Sequence, residues 1–269
     1  MTTPYSYVSP IPVRRAHLGD ALASEWTKIR SVRSTMWTLG VMVLLMLGIG
    51  LGVAAVVSAS SVSPQDESAL GFGFFGVLLG SICVITLGVL TIASEYGTGM
   101  IRTTMTACPS RGRILTAKAI VFFLLVFTVT TVTATVVAMA QVAMIDAVEP
   151  SGSEWLRATV GAGLFIALVG LLALAVGTMV RHSAGAITVM IGVLLLPLVA
   201  AMFMFSESLA KLQEWLLAYA IPSQLIALYA GRSAVADSGP AGWEPVWILL
   251  GVTALAMGGA YALLNSRDV

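Results

Sequence analysis

The sequence predicts an all-α integral membrane protein with six transmembrane helices. Of its 269 residues, 58% are hydrophobic and only 10% are charged, whereas about a quarter of the residues in soluble domains are charged. Six stretches contain no Asp, Glu, Lys or Arg, and each exceeds the roughly 20 residues that a helix needs to cross a hydrocarbon core. These stretches are residues 34–65, 68–94, 119–145, 158–180, 182–206 and 245–266.

The basic residues predict the orientation of these spans. All lysines and arginines except Arg157, Lys211 and Arg232 lie near the termini or in connections that share a side with them. The positive-inside rule therefore places both termini in the cytoplasm. Most acidic residues fall on the opposite side, although they steer membrane insertion only weakly.

The segment before the first span divides into a tail and a helix. Residues 1–16 contain three prolines and no periodicity, which predicts a flexible cytoplasmic tail. Residues 17–34 predict an amphipathic interfacial helix, because apolar residues recur at helical spacing and charged residues take the other positions. The apolar residues are Leu18, Leu22, Trp26, Ile29 and Val32. The residues expected at the lipid headgroups are Trp26, Lys28, Arg30 and Arg33. The alternative is a plain basic anchor, which needs cations but no apolar stripe.

The six-span transmembrane domain is predicted over residues 35–266, and its loop at residues 95–117 is polar and basic. A short helix at about residues 99–108 is expected to project from the membrane and dock into a partner, before Pro109 and Gly112 turn the chain back. Glu95 has two open interpretations: an anchor that pairs with Arg102 or a neighbouring lysine, or a group that fixes the angle of the short helix. The cations expected to anchor the returning chain at the headgroups are Arg111, Arg113 and Lys118.

The longest external connection, residues 206–244, also contains predicted helices. Its first half has an apolar stripe at helical spacing, formed by Leu209, Leu212, Leu216 and Tyr219. After Pro222 a second apolar stretch runs to Gly231. Two short re-entrant helices that dip into the outer leaflet fit this pattern, and we expect them to form an outer gate.

Pairs of glycines inside the first two spans predict close contacts between helices. Gly48 and Gly52 lie in span 1, and Gly76 and Gly80 lie in span 2. This small-xxx-small spacing lets helix backbones approach each other. The contacts can lie within one subunit or between two.

The chain lacks the residue patterns of an enzyme or a nucleic-acid-binding protein. It contains no phosphate-binding loop, and the GxGxxG pattern at residues 71–76 follows an external turn rather than a strand. The two histidines and two cysteines do not have metal-ligand spacing, so we predict no catalytic residue, metal or cofactor on this chain. A net charge of +1 provides no cationic face for nucleic acid.

The spans carry mild polar residues rather than charges. A proton- or ion-coupled transporter usually places Asp, Glu, His or Arg at membrane depth, and we predict no buried ion pair or carboxylate in any span. Thr131, Thr135 and Gln141 in span 3 are the candidates for lining a substrate path. Threonines also hydrogen-bond to their own helix carbonyls, which is the structural alternative.

Three segments resemble the type-2 ABC transporter permeases, the membrane subunits of bacterial exporters, especially those of actinobacterial type. The segments are residues 24–35 (SEWTKIRSVRST), 95–104 (EYGTGMIRTT) and 181–186 (RHSAGA). The first two are good markers of the family, and the third is weak alone. The similarity extends over nearly the whole chain from about residue 18.

This resemblance implies a bacterial plasma-membrane permease with a connecting helix at residues 17–33 and a coupling helix within residues 95–112. Two permease copies, identical or related, would pair with two cytoplasmic ATPase subunits that bind ATP and Mg²⁺. ATP binding would then drive a hydrophobic or amphipathic substrate, such as a drug, antibiotic, peptide or lipid, out of the cell. The residues expected to couple the spans to the ATPase are Glu95, Tyr96, Gly99, Arg102, Arg111 and Arg113.

Two alternatives stay open. A non-transporting scaffold or sensor subunit would recruit a cytoplasmic protein through the same basic loop without moving a substrate. A small secondary transporter would use an ion gradient, and its transport would be unaffected by ATP depletion.

Overall fold

The computed structural model describes residues 17–60, 68–107, 110–233 and 239–266, and the predicted tail lies outside these ranges. Their regular structure is helical, apart from an isolated bridge between Ser68 and Val148. The α-helices are α1 (Leu18–Ser31), α2 (Arg33–Ala59), α3 (Gly73–Gly97), α4 (Met100–Ala107), α5 (Arg111–Met144), α6 (Gly152–Leu156), α7 (Ala162–Val180), α8 (Ser183–Met202), α9 (Ala210–Tyr219), α10 (Ile221–Ala230) and α11 (Glu244–Ser266). The 3-10 turns Ala69–Phe72 and Glu207–Leu209 precede α3 and α9, and the π-helical segment Arg157–Gly161 joins α6 to α7.

Six helical stretches in the described residues are long and apolar enough to cross a membrane, which confirms the predicted fold class. Four of them are α2, α5, α8 and α11, and the other two are the continuous stretches Ala69–Gly97 and Gly152–Val180. The helix α1 precedes the first span, α4 lies between spans 2 and 3, and α9 and α10 lie between spans 5 and 6. These four helices lie in the segments for which the sequence predicts short helices, whereas α6 was not predicted.

The helix α7 lies at the centre of the bundle. About 78% of the apolar window of its span is buried, against 22% for α2, α8 and α11. The helices α3, α5, α8 and α11 pack around it. Glycines allow the closest approach, because a β-carbon at Gly88 of α3 would overlap the carbonyl oxygen of Gly170 in α7.

The two predicted glycine pairs have different surroundings. A β-carbon at Gly76 would lie 2.8 Å from the carbonyl oxygen of Met46 in α2, and one at Gly80 would lie 3.0 Å from Met46 Cγ. This pair therefore packs span 2 against span 1 within the subunit. At Gly48 and Gly52, a β-carbon would meet no atom of the described residues within 4 Å.

The helix α1 packs against α2 and α5 with a face that differs from the predicted apolar stripe. Ile29 is 8% exposed, as the apolar stripe predicts, but Glu25 is only 4% exposed while Trp26 is 44% exposed. Arg30 and Arg33 are exposed, which suits the predicted headgroup position. The predicted apolar stripe is therefore only part of the packed face, which also contains the carboxylate of Glu25 between two lysines.

The two helices of the external connection differ in burial. The residues of α10 are almost all buried, and the helix ends at Gly231, which has a φ of 72°. The Nε atom of Arg157 donates a hydrogen bond to the carbonyl oxygen of Leu228, 3.2 Å away. The apolar stripe of α9 remains accessible, with Leu212 46% exposed. The gating role of this connection stays a prediction.

Candidate functional site

Four charged side chains from three helices meet at the end of the bundle that carries α1 and α4. Glu25 and Lys28 belong to α1, Glu95 to the last turn of α3, and Lys118 to α5 about two turns after its start. We call these four residues the charge cluster.

Each lysine of the charge cluster bridges both carboxylates. Lys118 Nζ donates to Glu25 Oε2 and to Glu95 Oε1, both at 2.7 Å. Lys28 Nζ donates to Glu25 Oε1 at 2.8 Å and to Glu95 Oε1 at 2.9 Å. The four ion pairs therefore tie α1, α3 and α5 to one another through charged hydrogen bonds, which are stronger than neutral ones.

Most of the charge cluster is shielded from solvent. Lys118 is 1% exposed, Glu25 4% and Glu95 5%, whereas the Lys28 side chain is 28% exposed. Removing one partner of a buried ion pair costs about 3–5 kcal/mol, because an uncompensated charge remains inside the protein. The cluster therefore favours arrangements of the three helices in which all four residues stay together.

The pKa of Lys28, in the interfacial helix, is raised above its ordinary value of 10.5. Burial alone would lower this pKa, but hydrogen bonds and charge attraction from Glu25 and Glu95 outweigh it. Lys28 therefore carries its positive charge throughout the physiological pH range.

The sequence positions of the charge cluster explain part of its geometry. Glu25 and Lys28 are three residues apart, so they share one face of α1. A carboxylate two residues before the end of α3 and a lysine near the start of α5 lie at the same level, because a short loop and α4 connect these helices. The i,i+3 spacing of Glu25 and Lys28 in α1 was the sequence signal that these two residues pair. It did not identify their partners on the other helices.

The structure corrects two expectations about these charges. Lys118 does not anchor the chain at the headgroups, since its ammonium group is buried between two carboxylates. The expectation of no buried ion pair or carboxylate in the spans is also wrong, because Glu95 and Lys118 lie within α3 and α5. Both exceptions occur near the helix ends, where α1 supplies the remaining charges. The expectation that Glu95 pairs with a neighbouring lysine is confirmed.

The helix α4 begins five residues after Glu95. Gly99 separates α3 from α4 and has a φ of 74°, a left-handed conformation that favours glycine. Within α4, Ile101 is 4% exposed and Met100 is 46% exposed, so one side of the helix packs while the other is accessible. The side chain of Arg102 lies outside the described residues, and its predicted pairing with Glu95 stays a prediction.

A second set of contacts joins the remaining helices at the same end. The guanidinium carbon of Arg181, the residue after α7, lies 5.1 Å from the ring centroid of Tyr96, a distance that allows cation–π attraction. Arg111 Nη1 donates to the carbonyl oxygen of Leu264 in α11 at 2.9 Å. The two residues therefore link α3 to α7 and α5 to α11, while Arg113 is half-buried at the start of α5.

The three candidates for the substrate path have different surroundings in the described part of the chain. Thr135 donates to the carbonyl oxygen of Thr131 in its own helix at 2.7 Å, which is the structural alternative for this residue. Gln141 is fully buried and donates from Nε2 to the carbonyl oxygen of Gly50 at 3.3 Å. Gln141 also lines a cavity of about 10 Å³, which holds no more than one water molecule. Their role in transport stays a prediction.

The described residues contain no group of three or more His, Cys, Asp and Glu side chains that could hold a metal ion.

No curated protein matches the chain. A family described as ABC-2 family transporter protein matches residues 21–196, well over half of the chain. This range contains the charge cluster, α4 and five of the six candidate spans in whole or in most part, and ABC-2 permeases work with an ABC ATPase. The chain therefore belongs to the ABC-2 transporter family, as a multi-pass membrane permease subunit of an ABC transporter.

Proposed function

We propose that the chain is the membrane subunit of an ATP-driven exporter of hydrophobic or amphipathic molecules. Two permease copies, identical or related, pair with two cytoplasmic ATPase subunits, which bind ATP and Mg²⁺. Both termini face the cytoplasm of a bacterial cell, in line with the distribution of Lys and Arg. The substrate leaves on the opposite side, near α9 and α10.

The observation that carries this proposal is the connection between α4 and the charge cluster. The helix α4 has an accessible side and starts five residues after Glu95. Glu95 in turn is held at 2.7–2.9 Å by lysines of α1 and α5. A force applied to α4 therefore reaches three helices through one buried carboxylate.

In this mechanism the ATPase binds α4 and moves it when ATP closes the ATPase dimer. Because separating the buried charges is costly, α1, α3 and α5 move together rather than sliding past one another. Tyr96 and Arg181 extend the movement to the junction of α7 and α8, and Arg111 extends it to α11. Gly99 allows α4 to keep its own angle to α3, and Arg113 lies at the start of α5, directly after this junction.

The partner can be identified by purification of the tagged full chain from its native host in mild detergent. We expect mass spectrometry to find an ATPase with a phosphate-binding loop in stoichiometric amount. Reproducible absence of such a protein, from a preparation shown to be folded by its cooperative thermal unfolding, would contradict the proposal.

The direction of transport is tested with the purified complex in sealed vesicles of known orientation. ATP supplied on the side of α4 should move a fluorescent amphipathic substrate away from that side. Movement driven by an ion gradient without ATP, or ATP hydrolysis with no movement of any substrate tested, would contradict the exporter assignment.

A further inference from the structure

A cavity of about 240 Å³ lies between the short helices α9 and α10 and the spans α7, α8 and α11. A single water molecule needs only about 10–15 Å³ of such space, so the cavity has room for a small organic molecule. It is partly open to the surroundings. It also lies on the side of the bundle from which the substrate is proposed to leave.

The cavity has a buried floor and an accessible rim. Leu172, Ala220 and Leu249 form part of the floor and are buried. The rings of Trp215 and Tyr219 are exposed at the rim, with their centroids 5.2 Å apart. Apolar walls with aromatic side chains are typical of sites for small molecules, and the open rim allows such a molecule to enter from the bilayer.

The helix α8 has an incomplete hydrogen-bond ladder at this cavity. Pro197 lies inside α8 and has no N–H, so the carbonyl oxygen of Val193 lacks the partner that an uninterrupted helix supplies. Val193 and Pro197 both line the cavity, and residues four apart share one face of a helix. The gap in the ladder is therefore on the cavity side. In hydrocarbon a carbonyl without a partner costs several kcal/mol, which favours a ligand that donates a hydrogen bond.

The side chains around the cavity favour an uncharged donor. The described residues that line it include no Asp, Glu, Lys or Arg, so a charged ligand would have no counter-charge. Burying an unpaired ion costs far more than burying a hydroxyl or N–H group. The amide of Gln224, which is also on the wall, donates from Nε2 to the carbonyl oxygen of Tyr219 at 2.8 Å. This amide is thus bound to α9 rather than to α8.

We propose that the cavity binds an uncharged amphipathic molecule, whose apolar body contacts the walls and whose hydroxyl or N–H group donates to the carbonyl oxygen of Val193. Lipid tails are as apolar as the walls, so burial of apolar surface discriminates little between ligands in a membrane. The hydrogen bond supplies the selectivity, because a lipid acyl chain has no donor. As a statement of the substrate class this inference rests on the exporter proposal, whereas the binding site itself does not.

The experiment uses the purified full chain in detergent and a phenol that carries a photoreactive diazirine on its ring. The methyl ether of the same probe has the same apolar body but no hydrogen-bond donor. Mass spectrometry of peptides measures the position and the extent of labelling. We expect the phenol to label cavity-lining residues of α8, α9 or α11. Phenol labelling that spares all of these residues would overturn the proposal.

Pro197→Ala tests the hydrogen-bond acceptor, because alanine restores the N–H that bonds the carbonyl of Val193 within the helix. The concentration for half-maximal labelling is measured for both probes. The ratio of ether to phenol should be about fivefold higher for the wild-type chain than for Pro197→Ala. This factor is equivalent to about 1 kcal/mol, the net contribution of one hydrogen bond. Partition of the probes into detergent is the same for both chains and cancels from the comparison.

Pro222→Ala is the matched control for the proline substitution. Pro222 lies in the first turn of α10, where the N–H has no partner within the helix, and it is outside the cavity lining. The ratio should therefore stay at the wild-type value. An unchanged ratio in a Pro197→Ala chain that unfolds cooperatively would overturn the proposal and would favour a lipid acyl chain as the occupant.

Val252→Trp tests the location by filling the cavity from α11. Labelling of the cavity by both probes should fall at least about tenfold, equivalent to about 1.4 kcal/mol. Leu255→Trp is the control, since Leu255 is exposed in the same helix but outside the cavity lining. Undiminished labelling in Val252→Trp would overturn the proposal. These measurements need neither ATP nor an ATPase, so their failure would leave the exporter proposal standing, and failure of transport in sealed vesicles would leave the labelling unchanged.

Discussion

The two ends of the bundle are stabilised by different kinds of polar interaction. At the end that carries α1 and α4, four charged groups lie within 2.7–2.9 Å of their partners. At the other end, buried amides take their place: Gln141 donates to Gly50 O at 3.3 Å and Gln224 donates to Tyr219 O at 2.8 Å. Both of these amides leave their Oε1 atom without a partner in the described residues.

This difference indicates a division of mechanical roles. Separating a buried ion pair costs several kcal/mol, whereas a neutral hydrogen bond contributes only about 0.5–1.5 kcal/mol net. The charged end is therefore suited to transmit a movement without deformation. The neutral end can rearrange at lower cost, which is compatible with the substrate exit proposed for this side.

The largest expected effect comes from removing the central cation. Lys118→Met should lower the free energy of unfolding by about 3–5 kcal/mol, because two buried carboxylates then share Lys28 alone. Thermal unfolding of the purified chain in detergent measures this loss. Lys211→Met in α9 is the control, since Lys211 is exposed and a surface change should stay within about 0.5 kcal/mol. If Lys118→Met lowered the free energy of unfolding no more than Lys211→Met does, the charge cluster would not hold its end of the bundle more strongly than the neutral end is held.

The next largest effect is expected on coupling rather than on stability. Glu95→Gln keeps a side chain of similar shape that can still accept a hydrogen bond from Lys118, but it removes the charge that holds α3 to α1 and α5. In the complex with its ATPase we expect ATP hydrolysis to continue while transport falls at least about tenfold, which corresponds to about 1.4 kcal/mol. Glu214→Gln in α9 is the matched carboxylate control. Full transport by Glu95→Gln would refute the role of Glu95 in coupling.

A smaller effect is expected at the neutral end. Gln141→Leu removes one weak hydrogen bond together with one unsatisfied oxygen, and these two changes oppose each other. The free energy of unfolding should therefore change by no more than about 1 kcal/mol, as measured by thermal unfolding. A loss comparable to that of Lys118→Met would show that both ends are equally rigid.

The smallest expected effect is a loss of folding stability at alkaline pH. Because the pKa of Lys28 is raised in the folded protein, its stabilising contribution is complete below the ordinary value of 10.5 and declines as pH rises through the folded value. Unfolding curves from pH 8 to pH 11 should show a steeper loss for the wild-type chain than for Lys28→Met. Parallel curves would mean that Lys28 makes no net contribution to the charge cluster.

The sequence was sufficient to predict the spans and the short helices α1, α4, α9 and α10, because these depend on local composition, but it did not predict α6. Runs of uncharged residues predicted the six spans. Pro109 and Gly112 indicated the end of α4, and Pro222 and Gly231 indicated the two ends of α10. Each of these signals acts within a few turns of the chain.

The composition of the charge cluster could not be predicted in the same way. Glu25 and Lys118 are 93 residues apart, and nothing local to either residue identifies the other. The same limitation applies to the glycine pairs, which have identical spacing in spans 1 and 2. Only the packing of α2 on α3 shows that Gly76 meets Met46 while Gly48 meets none of the described residues.

The separation of the charge cluster along the chain also imposes an order on biosynthesis. Lys118 is made 23 residues after Glu95 and 93 residues after Glu25, so at a rate of about 5–20 residues per second the carboxylate of Glu25 waits roughly 5–20 seconds for this partner. Until α5 enters the membrane, α1 and α3 have only Lys28 to neutralise two acids. A nascent chain that stalls before residue 118 therefore has both carboxylates of the charge cluster but only one of its two lysines.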